Sequence, residues 1–222
     1  MFPDYKYGWL AEETRVKLPL ELDFRREADN AKRCKKIFQD NPHVAVPRVY
    51  EQLTSERVLT MSFEKGIPAT SVKEMHAQGI NLKKCARLIS ETFNHMIYEE
   101  GFVHSDPHPG NIFIRKTKIN GKDDIQLVLL DHGIYTDLKK ETRLSYTKLW
   151  RGVLTQNEAK IKEASKELGA DFYQMMVGIV VNRTWDDVMN DKDRNHLKSR
   201  LGEKQDKKSQ EQLKTHAMTF HK

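Results

Sequence analysis

Three polar side chains have the types and spacing of a site for phosphate and metal. Asp106 lies in His104-Ser105-Asp106-Pro107-His108-Pro109-Gly110-Asn111, where two prolines and a glycine prevent a continuous helix. Asn111 follows Asp106 and heads a short apolar run that reads as a strand. Asp131 closes a second apolar run, Ile125 to Leu130, and stands two residues before Gly133. The polar segment Lys116 to Asp124 separates the runs and carries Asn120-Gly121, a dipeptide suited to a tight hairpin turn. A hairpin over these runs brings Asn111 and Asp131 to the same end.

Phosphoryl transfer asks little covalent chemistry of a protein. It needs a carboxylate to receive the nucleophile's proton and hard oxygen ligands to hold magnesium against phosphates. An Asp on a loop, an Asn shortly after it and an Asp-x-Gly after the next strand supply that set. Singly, each piece is an ordinary turn. Their agreement on one geometry is what points to Mg-nucleotide chemistry.

The His-x-Asp-x-x-x-x-Asn and Asp-x-Gly pair resembles the catalytic and metal loops of the protein-kinase-like superfamily. The fuller strings, His104-Ser105-Asp106-Pro107-His108-Pro109-Gly110-Asn111 and Leu129-Leu130-Asp131-His132-Gly133, resemble the UbiB/ABC1 (aarF-domain) atypical kinases. The stretch Leu18-Pro19-Leu20-Glu21-Leu22-Asp23-Phe24-Arg25-Arg26-Glu27-Ala28-Asp29-Asn30 is similar to that family's Glu-x-Asp signature with its downstream Glu. Together the matches span Leu18 to about Leu138, and mitochondrial members are the relatives the strings most resemble.

The resemblance implies an α+β, protein-kinase-like fold: a mostly helical large lobe with a partial small lobe. It divides the chain into a partial small lobe with the αC helix and hinge (1–66), a large lobe with the catalytic and metal loops (67–189) and a polar helical or disordered tail (190–222). It implies ATP and Mg2+ as cofactors. Asp106 would be the catalytic base or water-orienting group, and Asn111 and Asp131 the magnesium ligands. Glu27 would pair with a phosphate-anchoring lysine, and Glu21 and Asp23 would be the extra acidic motif on the nucleotide side. Read from the residues alone, those three carboxylates need only favour a helix N-terminus through its dipole. The family's work on lipid or coenzyme Q homeostasis, and a mitochondrial location, enter as implications of the same resemblance.

The elements that must position these groups can be read from periodicity. A helix is expected over Leu10 to Leu18, ended by Pro19, and a second over Glu21 to Phe38, with Leu22, Ala28, Ala31, Cys34, Ile37 and Phe38 on one face. Val44 to Val49, Tyr50 to Leu53 and Arg57 to Phe63 read as strands. Ser62 to Pro68 reads as an irregular link in the place of a kinase hinge. Ser71 to Gln78 is a short helix. Asn81 to Glu100 is a long amphipathic one that delivers the chain into the Asp106 loop. Helices follow over Lys139 to Leu154, Glu158 to Leu168 and Phe172 to Val181, with another starting at Thr184 to Met189.

The chain has 222 residues, 38 Lys+Arg against 32 Asp+Glu, and a net charge of +6. Hydrophobic residues make up 38% and charged ones 32%, which suits exposed helices and a polar tail around one core. The modest positive balance permits contact with a nucleotide or with a lipid or membrane surface. A nucleic-acid site is not expected, because no basic patch with interleaved aromatics occurs. No protein partner can be read. No run approaches the ~20 apolar residues of a membrane span. Met1-Phe2-Pro3-Asp4-Tyr5 lacks the Arg-rich amphipathic pattern of a transit peptide. Cys34 and Cys85 have no zinc or disulfide spacing and read as small, reduced packing residues. His104 and His108 stand at i,i+4, but the prolines beside them break the helix that a metal pair would need.

Before Glu21 there is no Val-Ala-x-Lys strand, no Gly- or Ala-rich phosphate loop and no Lys-x-Gly-Gln signature. Glu27 therefore has no evident lysine partner, and the expectation is a fragment with little or no kinase activity by itself. An Ala-Pro-Glu anchor and a long activation segment are also missing, which argues against ordinary protein phosphorylation. Two alternatives fit the same loops: a small-molecule phosphotransferase of the aminoglycoside/choline-kinase type, and a non-catalytic pseudokinase scaffold.

Overall fold

The structure, a computed structural model, describes Glu12, Arg15 and residues 22–190. The expected Leu10 to Leu18 helix falls outside the described residues except at Glu12 and Arg15, whose backbone is helical. Glu21 and the tail beyond Asn190 also lie outside them. The chain forms two compact units, divided between Leu138 and Lys139.

The first unit opens with α1, Phe24–Ile37. Asp23 caps it, accepting the Arg25 N–H at 3.0 Å, and Lys35 and Lys36 complement the dipole in the last turn. Ala28, Ala31 and Cys34 recur at helical spacing and are its buried stripe. The three strands expected over 44–63 are reduced. Only β1, Val44–Ala45, remains regular, with a 3-10 turn at Glu51–Leu53 and single bridges at Val49–Met61 and Ser55–Val58. Side-chain hydroxyls compete with the ladder here. Thr54 donates to Tyr50 O at 2.9 Å and Thr60 to Leu53 O at 2.6 Å, folding the segment on itself.

After β2, Ile67–Pro68, come α2, Val72–Ala77, and α3, Leu82–Asn94, whose Asn81 cap accepts the Lys84 N–H at 3.1 Å. The apolar stripe predicts one helix to Glu100. The chain instead passes into a π-helical turn over His95–Glu100 before Gly101 ends it in the left-handed region. Strand β3, Phe102–His104, pairs antiparallel with β6, Tyr135–Asp137.

Between them lies the hairpin of β4, Ile112–Ile119, and β5, Lys122–Leu129. Its register runs from Ile112 opposite Leu129 to Ile119 opposite Lys122. Much of the segment expected as a polar link is therefore strand. The turn is confined to Asn120 (φ 52°) and Gly121 (φ 78°), both in the left-handed region that a two-residue hairpin requires. The sheet order is β1-β5-β4-β2, with β1 parallel to β5 and the other pairs antiparallel. Ile112, Ile114, Ile125, Leu127 and Leu129 pack with Ala31, Cys34 and Phe38 of α1 and Cys85, Leu88 and Met96 from the α3 region in one core. That core fixes the hairpin against the two helices.

The second unit contains α4, Lys140–Leu154; α5, Glu158–Glu167; α6, Tyr173–Val181; and α7, Trp185–Met189. These bounds follow the periodicity closely, because Asn157 and Thr184 cap their helices through the Lys160 and Asp187 N–H groups. Leu149, Val153, Ile161, Ala164, Val177 and Val188 form its core. No helix among the described residues is long and apolar enough to cross a membrane.

Candidate active site

The hairpin register decides where Asn111 and Asp131 stand. Ile112 pairs with Leu129 at the first rung, so the residues just outside that rung meet. Leu130 N–H donates to Asn111 O at 3.0 Å, and the Asn111 Nδ2 donates to Asp131 Oδ2 at 2.8 Å. The second Asp131 oxygen, Oδ1, accepts the Gly133 N–H at 2.9 Å, which curls the chain at the Asp-x-Gly. With its amide nitrogen committed to Asp131, Asn111 has a single role left for its oxygen, that of a hard acceptor.

Asp106 is carried on the loop after β3. Its backbone N–H donates to His104 Nδ1 at 3.3 Å, and its carbonyl accepts the His108 N–H at 2.8 Å. His108 O in turn accepts the Asn111 N–H at 2.9 Å, which ties the Asp106 loop to the head of β4. The Asp106 carboxylate is exposed. His104 is buried beside Tyr135, with ring centroids 4.9 Å apart, and burial lowers its basicity despite the Asp131 charge. His108 Nδ1 accepts the Gly110 N–H at 3.1 Å. The two histidines thus each order the loop through a backbone N–H, and no group of three or more His, Cys, Asp or Glu side chains able to hold a metal ion occurs among the described residues.

Among the described residues Glu27 meets backbone: its Oε1 accepts the His132 N–H at 3.2 Å. Burial pushes its carboxyl up, the His132 hydrogen bond opposes this, and the Asp131 charge adds to the rise. Asp23 is committed to the helix cap and to Arg25, whose Nε and Nη2 both donate at 2.9 Å. That geometry turns Asp23 toward the helix start, as an ordinary N-cap, and holds its carboxyl below the usual range through Arg25. Asp106, Asn111, Asp131 and Glu27 are thus brought into one neighbourhood. Asp23 is not joined to it by any hydrogen bond shown.

Three residues with no role assigned from the sequence complete the site. Asn30 Nδ2 donates to His132 O at 2.9 Å and lies 3.4 Å from Gly133 O. His132 is 1% exposed, and its Nε2 lies 3.1 Å from Leu129 O. A carbonyl only accepts, so Nε2 carries the hydrogen, and Nδ1 accepts the Tyr135 hydroxyl at 2.9 Å. Tyr135 also bonds the Cys34 thiol, which burial pushes up to about 11. The helical spacing of Glu27, Asn30 and Cys34 on one face was the available signal.

A profile of the ABC1 atypical kinase-like domain matches residues 1–165. The chain belongs to this family. AarF domain-containing kinase 1 of Drosophila melanogaster is similar, with 38% identity over 191 residues, 85% of this chain and 36% of its own length. AarF domain-containing protein kinase 1 of Gallus gallus is 35% identical over 189 residues, with the same coverage of 85% and 36%. The chain thus spans little more than a third of these curated relatives. Among solved structures, Rv3197 of Mycobacterium tuberculosis in complex with erythromycin aligns with a TM-score of 0.57 at 17% identity, over 84% of this chain and 46% of that one. The ABC1 chain has a protein-kinase-like fold, as the His-x-Asp and Asp-x-Gly strings implied.

Proposed function

We propose that this ABC1 chain binds a magnesium nucleotide and supplies the catalytic and metal loops for phosphoryl transfer in its parent protein. One observation carries the reading: Asn111 and Asp131 are locked together at 2.8 Å at the open end of the hairpin, on the same loop system as Asp106. The donor set suits magnesium. Magnesium takes hard oxygens, keeps several waters and uses one or two carboxylates together with the substrate's phosphates, rather than an all-protein cage. One carboxylate and one amide oxygen on an ordered loop match that demand.

When bound, magnesium would neutralise charge on the phosphates. The chain's own residues do the rest. Asn111 and Asp131 orient the metal end, with Asp131 fixed by the Asn111 amide and the Gly133 N–H. Asp106, exposed on its loop, receives the proton of the attacking hydroxyl or aligns a water. The family resemblance supports a lipid or coenzyme Q-linked substrate in mitochondria. Hydroxyl compounds that stimulate ADP release would instead favour the small-molecule phosphotransferase reading.

The direct test is Mg-ATP binding by thermal shift and calorimetry, on wild type and Asp131→Asn. A ligand at about a hundred times its Kd stabilises by about 2.7 kcal/mol, an easily resolved shift. The expected outcome is a magnesium-dependent shift that Asp131→Asn abolishes or weakens at least tenfold. Equal affinity in both proteins would remove Asp131 from the site.

A further inference from the structure

Helix α1 and the segment after Asp131 run alongside each other and are joined residue by residue. Glu27 takes the His132 N–H, and Asn30 takes the His132 carbonyl with Gly133 O close by. One turn on, the Cys34 thiol meets the Tyr135 hydroxyl, and Arg33 makes a two-pronged pair with Asp137 at 3.0 and 2.6 Å. Positions 27, 30, 33 and 34 are spaced as neighbours on one helical face. They meet the stretch from 132 to 137: Glu27 and Asn30 at 132 and 133, Cys34 at 135 and Arg33 at 137. The peptide groups flanking His132 are thus held from both ends, N–H by Glu27 and C=O by Asn30.

Of these contacts, Asn30 is the one the rest of the site cannot replace. It is part-buried, and its amide is the only side-chain donor shown on the His132 and Gly133 carbonyls among the described residues. Those carbonyls belong to the turn whose Gly133 N–H fixes Asp131 Oδ1 at 2.9 Å. Freeing them lets the peptide planes rotate, and the Asp131 carboxylate then loses its set angle to Asn111.

We infer that Asn30 is a positioning residue: through the backbone of His132 and Gly133 it holds Asp131 in the geometry that takes a divalent cation. Helix α1 and the metal loop thereby act as one body, joined by α1 side chains that hold main-chain groups of the loop. This rests on the reading of Asn111 and Asp131 as cation ligands, and it adds a residue on another element that touches neither metal nor nucleotide.

The test uses this chain with Mn2+ as the probe, first alone and then with ADP to supply phosphate oxygens. Water proton relaxation reads Mn2+ affinity, and amide hydrogen exchange reads residues 130–135. The variants are Asn30→Ala and the volume-matched Asn30→Leu, with Asp29→Ala as control. Asp29 sits next along the helix, is exposed and pairs with Lys32 at 2.8 Å. The expected result is a Mn2+ Kd raised about three- to tenfold in both Asn30 variants, with faster exchange at 130–135 and no change in Asp29→Ala. A variant that merely loosened the fold would speed exchange in β4 and β5 as well. If one Asn30 variant does not fold, the other decides. Unchanged Mn2+ affinity with normal exchange overturns the inference, and so does faster exchange with unchanged affinity, which leaves a contact without a positioning role. Wild type that takes up Mn2+ neither alone nor with ADP sinks the functional reading itself. In that case exchange alone still rules on the contact, and unchanged rates at 130–135 in Asn30→Leu overturn it.

Discussion

Acid should loosen the metal loop through His132 before it protonates most carboxylates. The ring is buried in neutral form with both nitrogens used: Nε2–H donates to Leu129 O and Nδ1 accepts the Tyr135 hydroxyl. A second proton would have to sit on Nδ1, where a hydroxyl already donates. Burial, reinforced by nearby His104 and only partly offset by the Leu129 carbonyl and the Asp131 charge, moves the imidazole from 6.5 down to about 4. Because the folded value is the lower one, the unfolded chain takes up the proton first as pH falls. The contribution is complete above about pH 6.5 and is lost progressively down to about pH 4. The gap corresponds to about 3 kcal/mol, with a slope no steeper than about 1.4 kcal/mol per pH unit. The assay is urea unfolding of wild type and His132→Phe from pH 7 to 4.5 in chelator. It should be read by hydrogen exchange in β4 and β5, since two of the three tryptophans, Trp150 and Trp185, belong to the second unit. His132→Phe starts less stable, having left the Leu129 carbonyl without its donor and the Tyr135 hydroxyl hydrogen without its acceptor, but should lose about 2 kcal/mol less between pH 7 and 4.5. Parallel losses in the two proteins would refute the reasoning.

Other expectations follow from single contacts. Glu27→Gln keeps an acceptor for the His132 N–H while removing a charge that burial and Asp131 disfavour. It should gain stability at pH 7. It should also lack the wild type's gain in stability as pH falls through the raised Glu27 value, because there the folded state binds the proton first; urea midpoints at pH 7 and 5 check both. Gly152→Ala should cost about 1–3 kcal/mol, since a Cβ there would lie 2.9 Å from Ile161 Cγ1 and 3.0 Å from its backbone nitrogen. Tryptophan-monitored unfolding of the second unit measures it. Tyr135→Phe leaves His132 Nδ1 without its donor, and a loss of about 1–3 kcal/mol should appear in exchange from β3 and β6.

The hairpin was legible because its signals are local: two apolar runs, Asn120-Gly121 between them, and polar residues at the far end. The helices of the second unit were equally so, each with a cap and a 3.6-residue stripe. The strands over 50–63 were not, because β-branched and aromatic residues there suggest a ladder while Thr54 and Thr60 spend their hydroxyls on the backbone. The π-helical turn at His95–Glu100 hides in the same way, since one added residue per turn barely disturbs an amphipathic stripe. In the site, Asp106, Asn111 and Asp131 could be read from spacing. The partner of Glu27 could not, because a main-chain N–H brought from 105 residues away leaves no mark on composition.

The β4–β5 arm has a practical use. Its two strands are eight residues each, so the Asn120-Gly121 tip stands about 26 Å from the end that carries Asn111 and Asp131. Among the described residues, nothing beyond its chain neighbours lies within 4 Å of a Cβ placed on Gly121. Extra residues or a dye could be grafted at the tip without shifting a single rung at the other end. The protein thus offers its own attachment point for an optical reporter, rigidly connected to the loops whose occupancy it would report.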